Sequence, residues 1–136
     1  MDLEIMKPNN IVFQLLGFDP NWICVIYDLI MYNHDKSFSI EVFPNISSEI
    51  KAADRLLKIP FRIREMRDIQ STQPVLFGVA SGRNKYRIYK DFLPYLKDED
   101  YENLIAKSSV VSRSNVLGSG VLIDHQCVTS AQTIIG

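Results

Sequence analysis

A chain of 136 residues that is 46% hydrophobic and 23% charged has the balance of an ordinary globular protein, and it is long enough to bury roughly two-thirds of its unfolded surface without staples. A formal net charge of −1 provides no global field for nucleic acid or an anionic membrane, so an anionic ligand must be held by local donors. No window approaches a membrane span, and the amino end lacks the basic and apolar regions of a secretory leader. Cys24 and Cys127 show no metal-ligand spacing and read as reduced thiols of a cytoplasmic protein, with Cys24 in Trp-Ile-Cys-Val-Ile expected to be a buried small hydrophobe.

Residues 10–16 (NIVFQLL) form a short apolar, β-branched run between Pro8 and Gly17, the pattern of a buried parallel strand. Gly17-Phe18-Asp19-Pro20 supplies a turn and a helix start, with Asp19 as cap and Pro20 at the first helical position. Trp22, Ile23, Ile26, Leu29 and Ile30 then predict an amphipathic helix over 21–31. Strand, turn and helix together open a βαβ unit. Residues 39–43 (SIEVF) read as a second strand ending at Pro44-Asn45. A short helix over 48–57 and a basic segment with Arg62, Arg64 and Arg67 follow. Residues 75–80 (VLFGVA) form the next strand and Ser81-Gly82 a turn. A helix over 84–93 is expected to bury Tyr86, Tyr89 and Phe92 or Leu93, stopping near Pro94. Residues 98–103 (DEDYEN) make a polar connector with about one helical turn, before a short strand at Leu104–Ile105.

After Ser108 aromatics disappear, charge nearly vanishes, and apolar positions recur every six residues. Leu117, Ile123, Thr129 and Ile135 form one series, accompanied by Val121, Cys127 and Thr133; Val110, Val116, Leu122, Val128 and Ile134 form another, one residue out of phase. Period six suits neither an α-helix nor two-residue strand alternation. It is the pattern of a hexapeptide β-helix, although periodicity leaves open which series points inward. The plainer alternative is a β-meander with coincidental spacing.

With both segments in view, the chain resembles the sugar O- and N-acyltransferases of the sialic-acid O-acetyltransferase and bacillosamine acetyltransferase kind. The tail VSRSNVLGSGVLIDHQCVTSAQTIIG and the segment VLFGVASGRNKYRIY carry the resemblance. It implies an α/β fold in which a Rossmann-like parallel-sheet domain (1–107) binds a nucleotide-linked sugar. The first coil of a left-handed parallel β-helix (108–136) follows, with Leu117, Ile123, Thr129 and Ile135 inward. It also implies acetyl-CoA as co-substrate and a homotrimer of the complete protein. The chain departs from the family at three places: Gly17 stands alone where a glycine-rich loop is usual, Pro44-Asn45 replaces an acidic residue, and Ala106-Lys107 replaces a His-Pro pair.

Open parallel sheets bind ligands beyond the carboxyl ends of their strands, where helix N-termini offer free amides and a positive dipole end. The candidate substrate-binding residues are Gly17, Phe18, Asp19, Asn45, Gly78, Ser81, Gly82, Asn84, Lys85 and Arg87, with Arg83 adding charge. The competing reading is of capping residues and a solvated helix face. Acyl transfer calls for a histidine base, which the resemblance places in a later coil. His34 reads as a solvated loop residue, and His125, beside Asp124, as outward and unpaired with it because neighbours on an extended chain diverge. No metal site is expected. The chain reads as a truncated acyltransferase, inactive alone, that ends as its β-helix begins. A non-enzymatic nucleotide- or sugar-binding module is the alternative. A nicotinamide oxidoreductase is disfavoured, since no G-x-G-x-x-G follows the first strand.

Overall fold

A computed structural model describes residues 11–34, 37–44, 59–129 and 134–135. β1 (Ile11–Leu16) lies inside a four-stranded parallel sheet of order β3-β2-β1-β4, with β2 at Phe38–Phe43, β3 at Arg62–Ile63 and β4 at Val75–Phe77. β1 is buried from Phe13 onward. Its apolar run is continuous because both faces are covered. Phe13 and Leu15 face α1 (Pro20–Asn33), together with Ile40, Val42 and Leu76. Leu16, Phe43 and Val75 face α2 (Gly82–Asp91). Gln14 is buried among them, and its side-chain amide is fully used: Nε2 donates to the Gln70 and Gln73 carbonyls and Oε1 accepts from the Gln70 amide. The register pairs Leu16 with both Phe43 and Phe77, so three strands end level. That shared edge is where the chain must turn.

Asp19 caps α1, accepting from the Asn21 and Trp22 amides, and Pro20 opens it. The helix runs beyond the expected 21–31 and ends at His34, whose amide donates to the Ile30 carbonyl. Ile23, Ile26, Leu29 and Ile30 are buried as the spacing requires. Cys24 is exposed, contrary to expectation, because it sits about 100° round the helix from the inward Ile23. His34 is half-buried rather than solvated, its ring packed edge-on against Phe13 at 5.3 Å.

The basic segment yields the edge strand β3. Glu41 on β2 holds it through Arg64 at 3.1 Å and Arg62 at 4.0 Å, and Arg64 also approaches Asp68 at 3.8 Å. The predicted helix over 48–57 lies outside the described residues. β4 has three residues rather than the expected six, since Gly78 leaves the strand to donate to the Leu16 carbonyl and accept from the Asp19 amide. α2 starts at Gly82, two residues early, with Ser81 as its cap. It buries only part of the expected set. Ile88 and Phe92 face the core, Tyr89 is half-buried, and Tyr86 and Leu93 are 65% and 52% exposed. Tyr86 lies about 200° round the helix from Ile88, so it cannot share that face.

From Leu104 onward the chain pairs with itself at one fixed interval. β5 (Leu104–Ile105) pairs parallel with β7 (Leu122–Ile123), β6 (Val116–Leu117) pairs parallel with β8 (Ile134–Ile135), and Val110 bridges Val128. Each partner is 18 residues on. The short strand expected at Leu104–Ile105 therefore exists, but it belongs to this winding tail rather than to the main sheet. Leu117, Ile123, Thr129 and Ile135 are buried or half-buried, whereas Val110, Val116, Val128 and Ile134 are 61–81% exposed. Burial thus separates the two series except at Leu122, which is half-buried against the α1 side of the core.

Candidate functional site

The level carboxyl ends of β1 and β4 bring two turns together. At the first, Gly17 adopts φ +86°, and an added Cβ would stand 2.5 Å from Ile88 Cδ1. At the second, an added Cβ on Gly78 would meet the Gly17 carbonyl oxygen at 2.6 Å. The two backbones touch, which only glycine permits. Gly82 differs from both: no atom lies within 4 Å of a Cβ built there, so its surroundings are open.

The turns differ in what they offer an anion. Around the first, donors are already engaged: the Gly17 amide on the Phe43 carbonyl, the Asp19 amide on Gly78, and the Asn21 and Trp22 amides on the Asp19 carboxylate. That carboxylate would also repel a phosphate. Phe18 is buried against Phe61, ring centroids 5.8 Å apart, so its side chain faces the core. At the second turn the cap is neutral: Ser81 Oγ accepts from the Asn84 amide at 3.4 Å. The Gly82 and Arg83 amides, first in the helix, find no backbone acceptor among the described residues. No acidic residue stands in the first turn of α2. Arg83 and Arg87 are exposed, and Lys85 Nζ hangs 5.8 Å over the Phe77 ring. Gly17, Phe18, Asp19, Gly78, Ser81, Gly82, Asn84, Lys85 and Arg87 thus lie on or beside one sheet edge. Asn45 lies outside the described residues.

The two histidines stand elsewhere. His125 Nδ1 is 3.2 Å from Ser108 Oγ, and its ring meets Tyr32 edge-on at 4.6 Å. Asp124 accepts from the His125 backbone amide, not from the ring. Tyr32 belongs to the last turn of α1 and the strand-end turns adjoin its first, about 20 Å away along a 14-residue helix. His34 marks that same far end. A cavity of about 570 Å3 also lies away from the turns, lined by Tyr27, Met31, Phe38, Phe61 and Arg62 beside the amino end of β2. Among the described residues it meets no helix N-terminus, and it is at the wrong end of the strands for a parallel-sheet site.

Spacing gives no hint of a set of residues where β4 meets the tail. Phe77 stacks on Tyr101 with centroids 4.8 Å apart and planes at 13°, while Tyr89 donates to Asp98 Oδ1 at 2.6 Å. Burial pushes the Tyr101 hydroxyl up to about 12. The hydrogen bond to Asp98 raises the Tyr89 pKa above its ordinary value. These residues come from three separate stretches, so only folding unites them. Among the described residues no helix is long and apolar enough to cross a membrane, and no cluster of three His, Cys, Asp or Glu is placed to hold a metal ion.

No protein-family model matches the chain, and no curated protein matches it. Its fold is similar to that of the acetyltransferase domain of PglB from Neisseria gonorrhoeae FA1090, solved in complex with acetyl coenzyme A. The TM-score is 0.66 over 93% of this chain and 59% of that one, at 14% sequence identity. The likeness is one of fold, and the chain spans less than two-thirds of that domain.

Proposed function

We propose that this chain is the nucleotide-sugar-binding part of a cytoplasmic acetyl-CoA-dependent sugar O- or N-acetyltransferase, and that its tail begins a left-handed hexapeptide-repeat β-helix. One observation carries the reading: a parallel sheet with an open helix N-terminus at its carboxyl edge runs directly into parallel rungs repeating every 18 residues. The similarity in fold to a domain that binds acetyl coenzyme A supports the donor. The 18-residue pairing starts at Leu104, just ahead of the proposed boundary between residues 107 and 108.

In this reading the Gly82 and Arg83 amides hold a diphosphate at the positive end of α2, with Arg83, Lys85 and Arg87 adding charge. Gly17 and Gly78 bring the two turns close enough to shape the floor. Asp19 serves α1 rather than the ligand. Acetyl-CoA supplies a thioester whose acyl carbon passes to a sugar amine or hydroxyl as the CoA thiol leaves. The base that accepts the acceptor's proton belongs to the complete protein, since His125 stands at the far end of α1. The exposed aliphatic pairs Val110–Val128 and Val116–Ile134 suit the subunit contacts of a trimer.

A thermal-shift panel of UDP-, GDP-, CMP- and dTDP-sugars tests the reading. One nucleotide class is expected to raise the melting temperature, and Gly82→Val, placed in open space, to remove the rise while the protein stays folded. A panel without any shift would overturn the reading; an undiminished shift in the variant would move the site elsewhere.

A further inference from the structure

Phe77, Tyr89, Asp98, Tyr101 and Ser119 line a groove of about 250 Å3 between β4 and the tail. One wall is aromatic, built from the Phe77–Tyr101 stack with Tyr89 tilted at 41° beside it. The rim is polar. Tyr89 uses its proton on Asp98 Oδ1, which leaves the second carboxylate oxygen of an exposed residue able to accept. Ser119 brings a hydroxyl from the tail. Gly120, at φ +74°, carries the tail close past the wall, where an added Cβ would stand 3.1 Å from Phe77 Cε2.

We propose that this groove is a sugar subsite, which takes the pyranose ring of the nucleotide-linked substrate. A pyranose has an apolar face of C–H groups and a periphery of hydroxyls, and it calls for an aromatic wall flanked by acceptors and donors. The volume lies below the roughly 300 Å3 where pockets for larger ligands begin, so it suits one ring rather than a whole nucleotide. Lys85 ties the groove to the turn before it. It belongs to the first turns of α2, beside the Gly82 and Arg83 amides, yet its Nζ lies over Phe77. A diphosphate on those amides therefore has its sugar end directed at the groove, and Ser119 puts that sugar against the tail. The inference rests on the diphosphate position given under the proposed function.

Two measurements separate its failure from the failure of that position. Calorimetric titration compares each nucleoside diphosphate (UDP, GDP, dTDP) with its UDP-N-acetylglucosamine, GDP-mannose or dTDP-glucose form. Saturation-transfer NMR uses free N-acetylglucosamine, glucose, galactose and mannose. The sugar form is expected to bind tighter than its diphosphate. Asp98→Asn is expected to weaken the sugar form about tenfold, the loss of one charge-assisted hydrogen bond, and to leave the diphosphate unchanged. Phe77→Leu should act likewise. Saturation transfer from a free monosaccharide that vanishes in Asp98→Asn supports the groove even if no nucleotide binds, in which case only the diphosphate position is lost. Diphosphate binding with no gain from the sugar, no saturation transfer and no effect of Asp98→Asn overturns the groove and spares the turn. Silence in both measurements overturns both.

Discussion

Gly17 and Gly78 stand against each other at the edge where β1 and β4 end, and each excludes a side chain for its own reason. Gly17 has positive φ and Ile88 within reach of any Cβ, whereas Gly78 faces a carbonyl oxygen that cannot move aside. Gly17→Ala is expected to cost about 1–3 kcal/mol, read from the urea midpoint, with Gly78→Ala no milder. A cost below about 0.5 kcal/mol would show that the turns do not touch as described. Gln14 makes a parallel case, because its amide satisfies three backbone groups of the 70–74 connector. Gln14→Leu keeps the volume but strands them, at about 1–3 kcal/mol. The sequence announces the cap Asp19 and the opener Pro20, since both act within a few residues. It misplaces Cys24 and His34, whose burial depends on helix phase and on a distant Phe13. The Phe77–Tyr101 stack leaves no local trace at all.

Elements with a strong period are read most nearly correctly. β1, α1 and β2 come within about a turn of their expected limits, and the six-residue spacing of the tail survives as pairs 18 residues apart. β3 is missed because two residues of edge strand have no pattern of their own; they follow from Glu41 on the neighbouring strand. α2 has the right place, and Phe92 and the half-buried Tyr89 lie on the expected face, but Tyr86 points out because it is about 200° round the helix from Ile88. The tail docks on the sheet through Asn33, at the end of α1. Its side chain donates to the Ile105 carbonyl at 2.6 Å and accepts from the Lys107 amide at 2.9 Å. Asn33→Ala should cost about 1–3 kcal/mol and speed hydrogen exchange at Lys107 before that of β1. Equal exchange at both would mean that tail and sheet open as one unit.

For the molecule as a whole, Tyr101 sits where sheet, α2 and tail meet, and its proton reports on that junction. The unfolded chain releases it near 10.0, and burial delays release in the folded state to about 12. Between those values the folded state holds more protons, so stability falls as pH rises; below pH 10 this group has no effect. Tyr101→Phe is expected to flatten that part of the stability profile, measured by urea unfolding, and an unchanged slope would place the tyrosine in solvent. The overall order of sheet first and winding tail second is readable from the sequence because each part has its own period. How the two parts pack together is not, since the contacts join residues far apart along the chain. An amide chemical-shift map, titrated with whichever of UDP, GDP or dTDP binds, tests most directly whether anionic ligands bind at the amino end of α2. The largest shifts are expected at Gly82, Arg83 and Asn84; shifts centred instead on Tyr27, Phe38 and Phe61, or at Asn21 and Trp22, would contradict that placement.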